Sequence, residues 1–215
     1  MTRHPSKSAV RKPGRQARRR FETRQRLVSA ARHLFVKQGY HETRSRDIAS
    51  EADLAVGTFY LYFADKRDAF LAFIEEATSD VEERIGRAVQ PDQSLEQQLR
   101  ASLGAVLDYA DENPGVLAAA MADEAVAAGE LGLSPGPRDH FALWLVRTLD
   151  EAADRGEISS DLDIPTLAHA IVGMVQQAAR YARRSGRSRD LLVSDLSQFC
   201  VRALEPGRGG MKPPT

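Results

Sequence analysis

From Leu27 to Ala203 the large apolar side chains recur three and four residues apart, and the runs are cut by glycine and proline instead of alternating with polar residues. That period suits amphipathic helices and excludes half-buried strands, which need a period of two. A first stripe (Leu27, Ala30, Ala31, Leu34, Phe35) closes at Gly39, a short second one carries Ile48, Ala49 and Ala52, and a third element spans 58–63. A long fourth (Phe70, Phe73, Ile74, Ala77, Val81, Ile85, Val89) stops at Pro91, and a fifth runs from Leu95 to Ala110. One helix over about 115–128, a loop over 129–137, and three helices built on Trp144, Ile171 and Leu196 complete the reading. The chain is expected to be all-α, with about nine helices.

The net charge is zero, but it is unevenly spread. Residues 1–67 hold 16 Lys/Arg against 6 Asp/Glu, whereas residues 68–215 hold 14 against 24. A basic block joined to an acidic one suits a phosphate-binding module fused to a regulatory one, because neutralising phosphates drives affinity for nucleic acid. Two solvated faces are the alternative on charge alone. The domains expected are a basic tail over 1–20, a nucleic-acid-binding domain over 21–67, a helical regulatory domain over 68–206 and a flexible tail over 207–215. Residues 1–20 carry eight Lys/Arg, no Asp/Glu and few large apolar side chains, a composition that does not repay ordering. The tail is read either as an arm that contacts the DNA backbone or as a solubilising segment.

The single cysteine, Cys200, forms no intramolecular disulfide, which fits a reducing cytoplasm. The longest uncharged stretch, 164–179, is too short and too polar to span a bilayer. Phosphate-binding loops, nucleophile elbows and Cys/His pairs at metal spacing are missing, so neither an enzyme, a cofactor nor a metal site is expected. Asp161 and Asp163 read as helix capping.

Residues 45–63 have the layout of a helix-turn-helix, with Ile48, Ala49, Leu54, Phe59 and Phe63 spaced to pack two helices together. This leaves Arg44, Arg46, Val56, Thr58, Tyr60, Leu61 and Tyr62 for the outer surface, where hydroxyls suit phosphates and an arginine suits guanine. Lys66 offers a further phosphate anchor. For Tyr60 and Tyr62, amphipathic packing is the alternative. Thr43 and Asp65 are read as caps of the second and fourth helices.

Gly39-Tyr40, then Arg46-Asp47-Ile48-Ala49, then Gly57-Thr58-Phe59-Tyr60-Leu61-Tyr62-Phe63 and Asp65-Lys66 together resemble the N-terminal signature of TetR-family regulators over residues 23–73. The resemblance implies that Ser45, Arg46, Gly57, Thr58, Tyr60, Leu61, Tyr62 and Lys66 approach double-stranded, palindromic operator DNA. It also implies a homodimer, a helical pocket for a small-molecule effector, and repression as the commoner mode. Three positions depart from the pattern. Asp53 replaces a common turn glycine, Ala55 a common capping serine and Val56 a common polar residue, and Asp53 is read as a displaced N-cap of the third helix.

In the regulatory half, Leu167, Ile171, Met174, Val175, Ala178, Leu192, Leu196 and Phe199 exceed what two terminal helices need for one core, and a two-fold four-helix bundle would bury the surplus. Packing within one chain is the alternative. For a largely apolar effector, Tyr109, Met121, Phe141, Trp144 and Met174 supply a lining, with His140, His169 and Gln176 as polar fixtures.

Overall fold

The computed structural model describes residues 14–128, 136–159 and 161–205. Every regular element among them is helical: α1 (Arg15–Glu42), α2 (Ser45–Glu51), α3 (Val56–Phe59), α4 (Lys66–Ala88), α5 (Leu95–Glu112), α6 (Val116–Ala122), α7 (Glu124–Ala128), α8 (Pro137–Asp154), α9 (Ile164–Ser185) and α10 (Arg189–Leu204). None of these helices is long and apolar enough to cross a membrane. The chain divides into two compact units, Met1–Ala69 and Phe70–Thr215.

Ten helices form where about nine are expected, because the 115–128 segment breaks at Asp123, whose φ of −115° and ψ of 53° leave the helical region. Its carbonyl then accepts from the Val126 and Ala127 N–H groups and starts α7 afresh. A second difference lies at the N-terminus, where α1 begins at Arg15, inside the expected basic tail. Arginine, glutamine and alanine are good helix formers, and residues that extend a packed helix add a hydrogen bond each without a new nucleus. An Arg18–Glu22 ion pair of 2.8 Å supports the extension. Residues 1–13 of that expected tail, the C-terminal tail over 207–215 and most of the 129–137 loop lie outside the described residues.

Gly39 ends the long part of α1. Its φ of 80° and ψ of 171° are open to glycine alone at low cost, and one further turn follows it. Within the first unit, Leu27, Val28, Ala31, Leu34 and Phe35 of α1 are buried together with Ile48, Ala49, Phe59 and Phe63.

In the second unit α8 packs along α9, and α10 packs on α5 and α9. Leu95, Leu99, Leu145, Leu149, Ala168, Cys200 and Leu204 form one buried cluster there. Burial pushes the Cys200 thiol up to about 11. Helix ends are closed by local chemistry. Ser94 accepts from the Gln97 N–H while Gln97 Oε1 accepts from the Ser94 N–H at 3.0 Å. Pro137 opens α8, and Gly156 and Gly186 end α8 and α9 with φ of 72° and 64°.

One cap reaches across the unit: Glu157 Oε2 accepts from the Leu95 N–H at 2.8 Å, at the start of α5. That hydrogen bond, reinforced by Arg155, holds the Glu157 carboxyl below the usual carboxylate range. A carboxyl lowered in the folded state contributes stability above its unfolded pKa and loses it as pH falls through the folded value. Glu157→Ala is therefore expected to cost about 0.5–2 kcal/mol at neutral pH. Denaturant titrations should show the gap between parent and variant closing on acidification. A gap that stays constant down to pH about 3 would remove Glu157 from this role.

Candidate nucleic-acid interface and ligand cavity

The turn between α2 and α3 is built by backbone bonds. Asp53 N–H donates to Ser50 O at 3.0 Å and Leu54 N–H to Ala49 O at 2.9 Å, the pair of bonds that closes a helix through a left-handed residue. Asp53 supplies that residue with φ 53°. It therefore stands in the turn itself, where glycine is common, and does not cap α3 as its displaced position suggested. The N-cap of α3 is Ala55, which has no side-chain oxygen to offer. Thr43 also differs from expectation. Its hydroxyl donates to Gly39 O at 2.8 Å at the end of α1, and the cap position of α2 falls to Arg44, whose N–H donates to Asp47 Oδ2 at 3.1 Å.

Helix α3 has only four residues, but turns continue it, with Leu61 N–H donating to Thr58 O and Phe63 N–H to Phe59 O. Phe59 and Phe63 are 0% and 2% exposed and their rings lie 5.6 Å apart. Burying these two turns Tyr60 (56% exposed), Leu61 (74%) and Val56 (44%) outward. Arg44, Arg46 and Gly57 are exposed as well, and Ser45, Thr58 and Tyr62 are half-buried. Arg46 Nε lies 3.5 Å from Asp47 Oδ1, an exposed pair that solvent screens.

Lys66 is half-buried. Its ammonium donates to Tyr40 O at 2.8 Å and His41 O at 3.4 Å, and it sits 4.0 Å from the Tyr40 ring centroid. It thus ties the first turn of α4 to the end of α1. Asp65 Oδ1 accepts from the Asp68 N–H and caps the same turn. A residue that sequence reasoning passed over does a similar task at the other turn: Arg26 donates to the carbonyls of Ala52 (2.5 Å) and Asp53 (3.4 Å). In the sequence it is one more member of a basic block.

In the second unit, a cavity of about 120 Å³ lies among α4, α5, α6, α8 and α9, with Ile85, Leu103, Phe141, Trp144, Val172 and Val175 in its wall. Of the expected pocket residues, Met121, Phe141, Trp144 and Gln176 line it. The only polar lining residues are Ser102 and Gln176, and the Ser102 hydroxyl already donates to Gln98 O at 2.7 Å. An adjoining cleft of about 260 Å³ shares Val106, Met121, Val175 and Gln176 with it and adds Arg138, Arg180 and Arg183.

The other four expected pocket residues lie elsewhere. Tyr109 is buried beneath Arg84, whose guanidinium carbon is 5.2 Å from its ring centroid. Met174 packs on the α8–α10 core. His140 is exposed. His169 is exposed too: its Nδ1 donates to Pro165 O at 2.8 Å and its Nε2 lies 3.1 Å from Asp139 Oδ1, and the Pro165 bond first, then Asp139, raises its pKa. It joins α9 to the start of α8. These positions share the helical period of the cavity wall, and the period alone cannot separate neighbouring faces.

The residues read as a dimer face fall into two groups. Leu192 is buried in its own chain, and Leu167, Ile171 and Met174 pack on the unit's core, with Ile171 also in the cavity wall. Val175 lines the cavity, and Ala178 and Leu196 are half-buried. Phe199 is 59% exposed, and two apolar side chains not singled out from the sequence, Tyr181 (58%) and Leu191 (55%), are exposed on the same two helices.

Comparison with known proteins bears on these features. Residues 27–73, which hold the helix-turn-helix, match the family model for bacterial regulatory proteins of the tetR family. The chain is 29% identical over 164 residues to the HTH-type transcriptional repressor BepR of Brucella suis biovar 1 (strain 1330), covering 72% of this chain and 77% of that protein. Two solved structures share the fold. The fatty acid degradation regulator FadR from Bacillus halodurans matches with a TM-score of 0.70 at 18% identity, over 89% of this chain and 97% of that one. A TetR-family transcription regulator from Shewanella sp. PV-4 matches with a TM-score of 0.73 at 19% identity, over 86% and 99%. With this helix-turn-helix at its N-terminus and this helical fold, the chain belongs to the TetR family of bacterial DNA-binding transcription regulators.

Proposed function

We propose that the protein is a homodimeric, cytoplasmic repressor released from a palindromic operator by a small, largely apolar effector. The observation that carries this reading is an apolar cavity whose wall includes Ile85 of α4, the helix whose first turn, at Lys66, is bonded into the helix-turn-helix unit. The relative named a repressor supports the direction of regulation.

On this reading Arg44, Ser45, Arg46, Val56, Gly57, Thr58, Tyr60, Leu61 and Tyr62 meet the DNA, and Lys66 adds a cation at the start of α4. The exposed tyrosine and the half-buried threonine suit phosphate oxygens, Arg46 suits a guanine edge, and Val56 and Leu61 suit thymine methyls. Tyr60→Phe is expected to weaken binding to every DNA sequence alike, by about 2- to 10-fold. Arg46→Ala should cost about 1–3 kcal/mol and relax preference at one base position. Both are read by titrating the protein against operator fragments selected from its source genome and against scrambled duplexes. Unchanged affinities in both variants would end the assignment of this surface.

For assembly, the exposed Phe199, Leu191 and Tyr181 of α9 and α10 are the side chains a second copy would cover. Phe199→Glu changes no residue of the chain's own core. It should leave helix content intact, give monomers in light scattering and abolish operator binding, since two half-sites need two linked readers. A dimer mass for this variant would move the interface elsewhere.

Effector release requires that ligand and operator oppose one another, and the coupling is reciprocal at about 1–3 kcal/mol, or about 5- to 150-fold. A compound that shifts the fluorescence of Trp144, a cavity residue, should bind more weakly by that factor when operator is present. Equal affinities would leave a DNA-binding regulator without effector-driven release.

A further inference from the structure

We propose that the effector site takes an anion with an apolar chain, the chain in the inner cavity and the charged end among Arg138, Arg180 and Arg183; this rests on reading the cavity as the effector site. The inner space is nearly without polar lining, its serine hydroxyl is already bonded within α5, and nothing there solvates a charge. A charged group must stay outside it. The adjoining cleft has the opposite character on one side, where three guanidinium groups stand with no carboxylate in the lining.

Arg180 and Arg183 are three residues apart in the last turns of α9, so they fall on one face, and both are exposed. Among the described residues, the hydrogen bond of Arg180 goes to the amide of Gln177 at 2.6 Å. Other arginines of this unit are paired with carboxylates: Arg84 with Glu112, Arg155 with Glu157 and Arg189 with Asp108. A cleft lined by one sign of charge attracts a counter-charge, and guanidinium forks hold carboxylates, sulfates or phosphates through two parallel bonds.

Gln176 stands where the two spaces meet. Its Oε1 accepts from Arg138 Nε at 2.9 Å, its Nε2 lies 2.8 Å from Met121 Sδ, and it lines both cavity and cleft. An anionic oxygen is a stronger acceptor than an amide, so it would take the Arg138 fork from Gln176. The glutamine side chain would then be released from one wall of the inner cavity as the chain enters.

The test uses the full chain and its single tryptophan, Trp144, which lines the inner cavity and reports binding there. Decanoate, decanol and decyltrimethylammonium are titrated separately, each below its micelle-forming concentration. Decanoate should bind about tenfold more tightly than decanol, equivalent to about 1.4 kcal/mol, and the cation should bind more weakly than either. Added salt should erode the preference for decanoate. The double variant Arg180→Gln/Arg183→Gln, with unchanged helix content, should bring decanoate close to decanol while leaving decanol as it was.

Decanol or the cation binding as tightly as decanoate to the parent chain would overturn the anion preference and leave the apolar cavity reading standing. A preference that survives the double variant would overturn the assignment to these arginines. If none of the three compounds moves the Trp144 signal, the effector-cavity reading falls, and the anion proposal with it.

Discussion

The outward surface of the DNA-binding unit depends on the burial of two phenyl rings. A four-residue helix has no stability of its own, since isolated helices are marginal below about 12–15 residues. What holds α3 and the turns after it is Phe59 and Phe63, both buried. A buried phenylalanine is worth about 3–5 kcal/mol, against about 1 kcal/mol for each hydrogen bond of the turn. Ring burial therefore fixes the orientation, and the bonds refine it. Once the rings face inward, the spacing of one and two residues leaves Tyr60 and Leu61 facing out. The left-handed Asp53 and the bonds from Arg26 to the Ala52 and Asp53 carbonyls set where the segment starts.

In the second unit the cavity follows from unequal side-chain sizes on α8 and α9. Ala142, Ala152 and Ala168 are fully buried in the cluster that also holds Leu145 and Leu149. Small residues let helices approach closely, and protein interiors tolerate few voids. The bulky Phe141, Trp144, Val172 and Val175 belong to the neighbouring face and wall off a space they do not fill. An unfilled apolar space forgoes dispersion contacts, so a ligand of matching shape gains on entry what the empty fold lacks.

Helix number, order and the helix-turn-helix were legible in the sequence because each helix buries a stripe, and a stripe is a one-dimensional signal. The misreadings are local or three-dimensional. Asp123 breaks a helix that its neighbours favour, and one residue inside an alanine-rich run leaves little trace in a periodic pattern. Thr43 and Asp53 both look like caps, and which amide a short side chain meets is decided by the turn around it. Ile171 and Val175 line the cavity while Met174 and Leu167 pack on the core, a distinction that rests on which neighbour each side chain meets. The cluster of Arg138, Arg180 and Arg183 joins residues from two helices about forty positions apart, so no local pattern announces it.

The link between effector and DNA narrows to a single helix. From Lys66 to Ile85, α4 spans about 28 Å without a break. Lys66 is bonded to the Tyr40 and His41 carbonyls, and Ile85 is part of the cavity wall. A helix is stiff along its axis, so a displacement at Ile85 is carried to the first turn, where Asp65 and Lys66 resist fraying. Stiffness transmits a shift but does not create a preference. A ligand moves an equilibrium only by its differential affinity for two states, so one that fills the cavity equally well in both leaves operator affinity untouched, however tightly it binds. The effective ligand is then one whose apolar part needs more room at Ile85 than the DNA-bound form allows, with its charged end supplying affinity and its chain supplying the push.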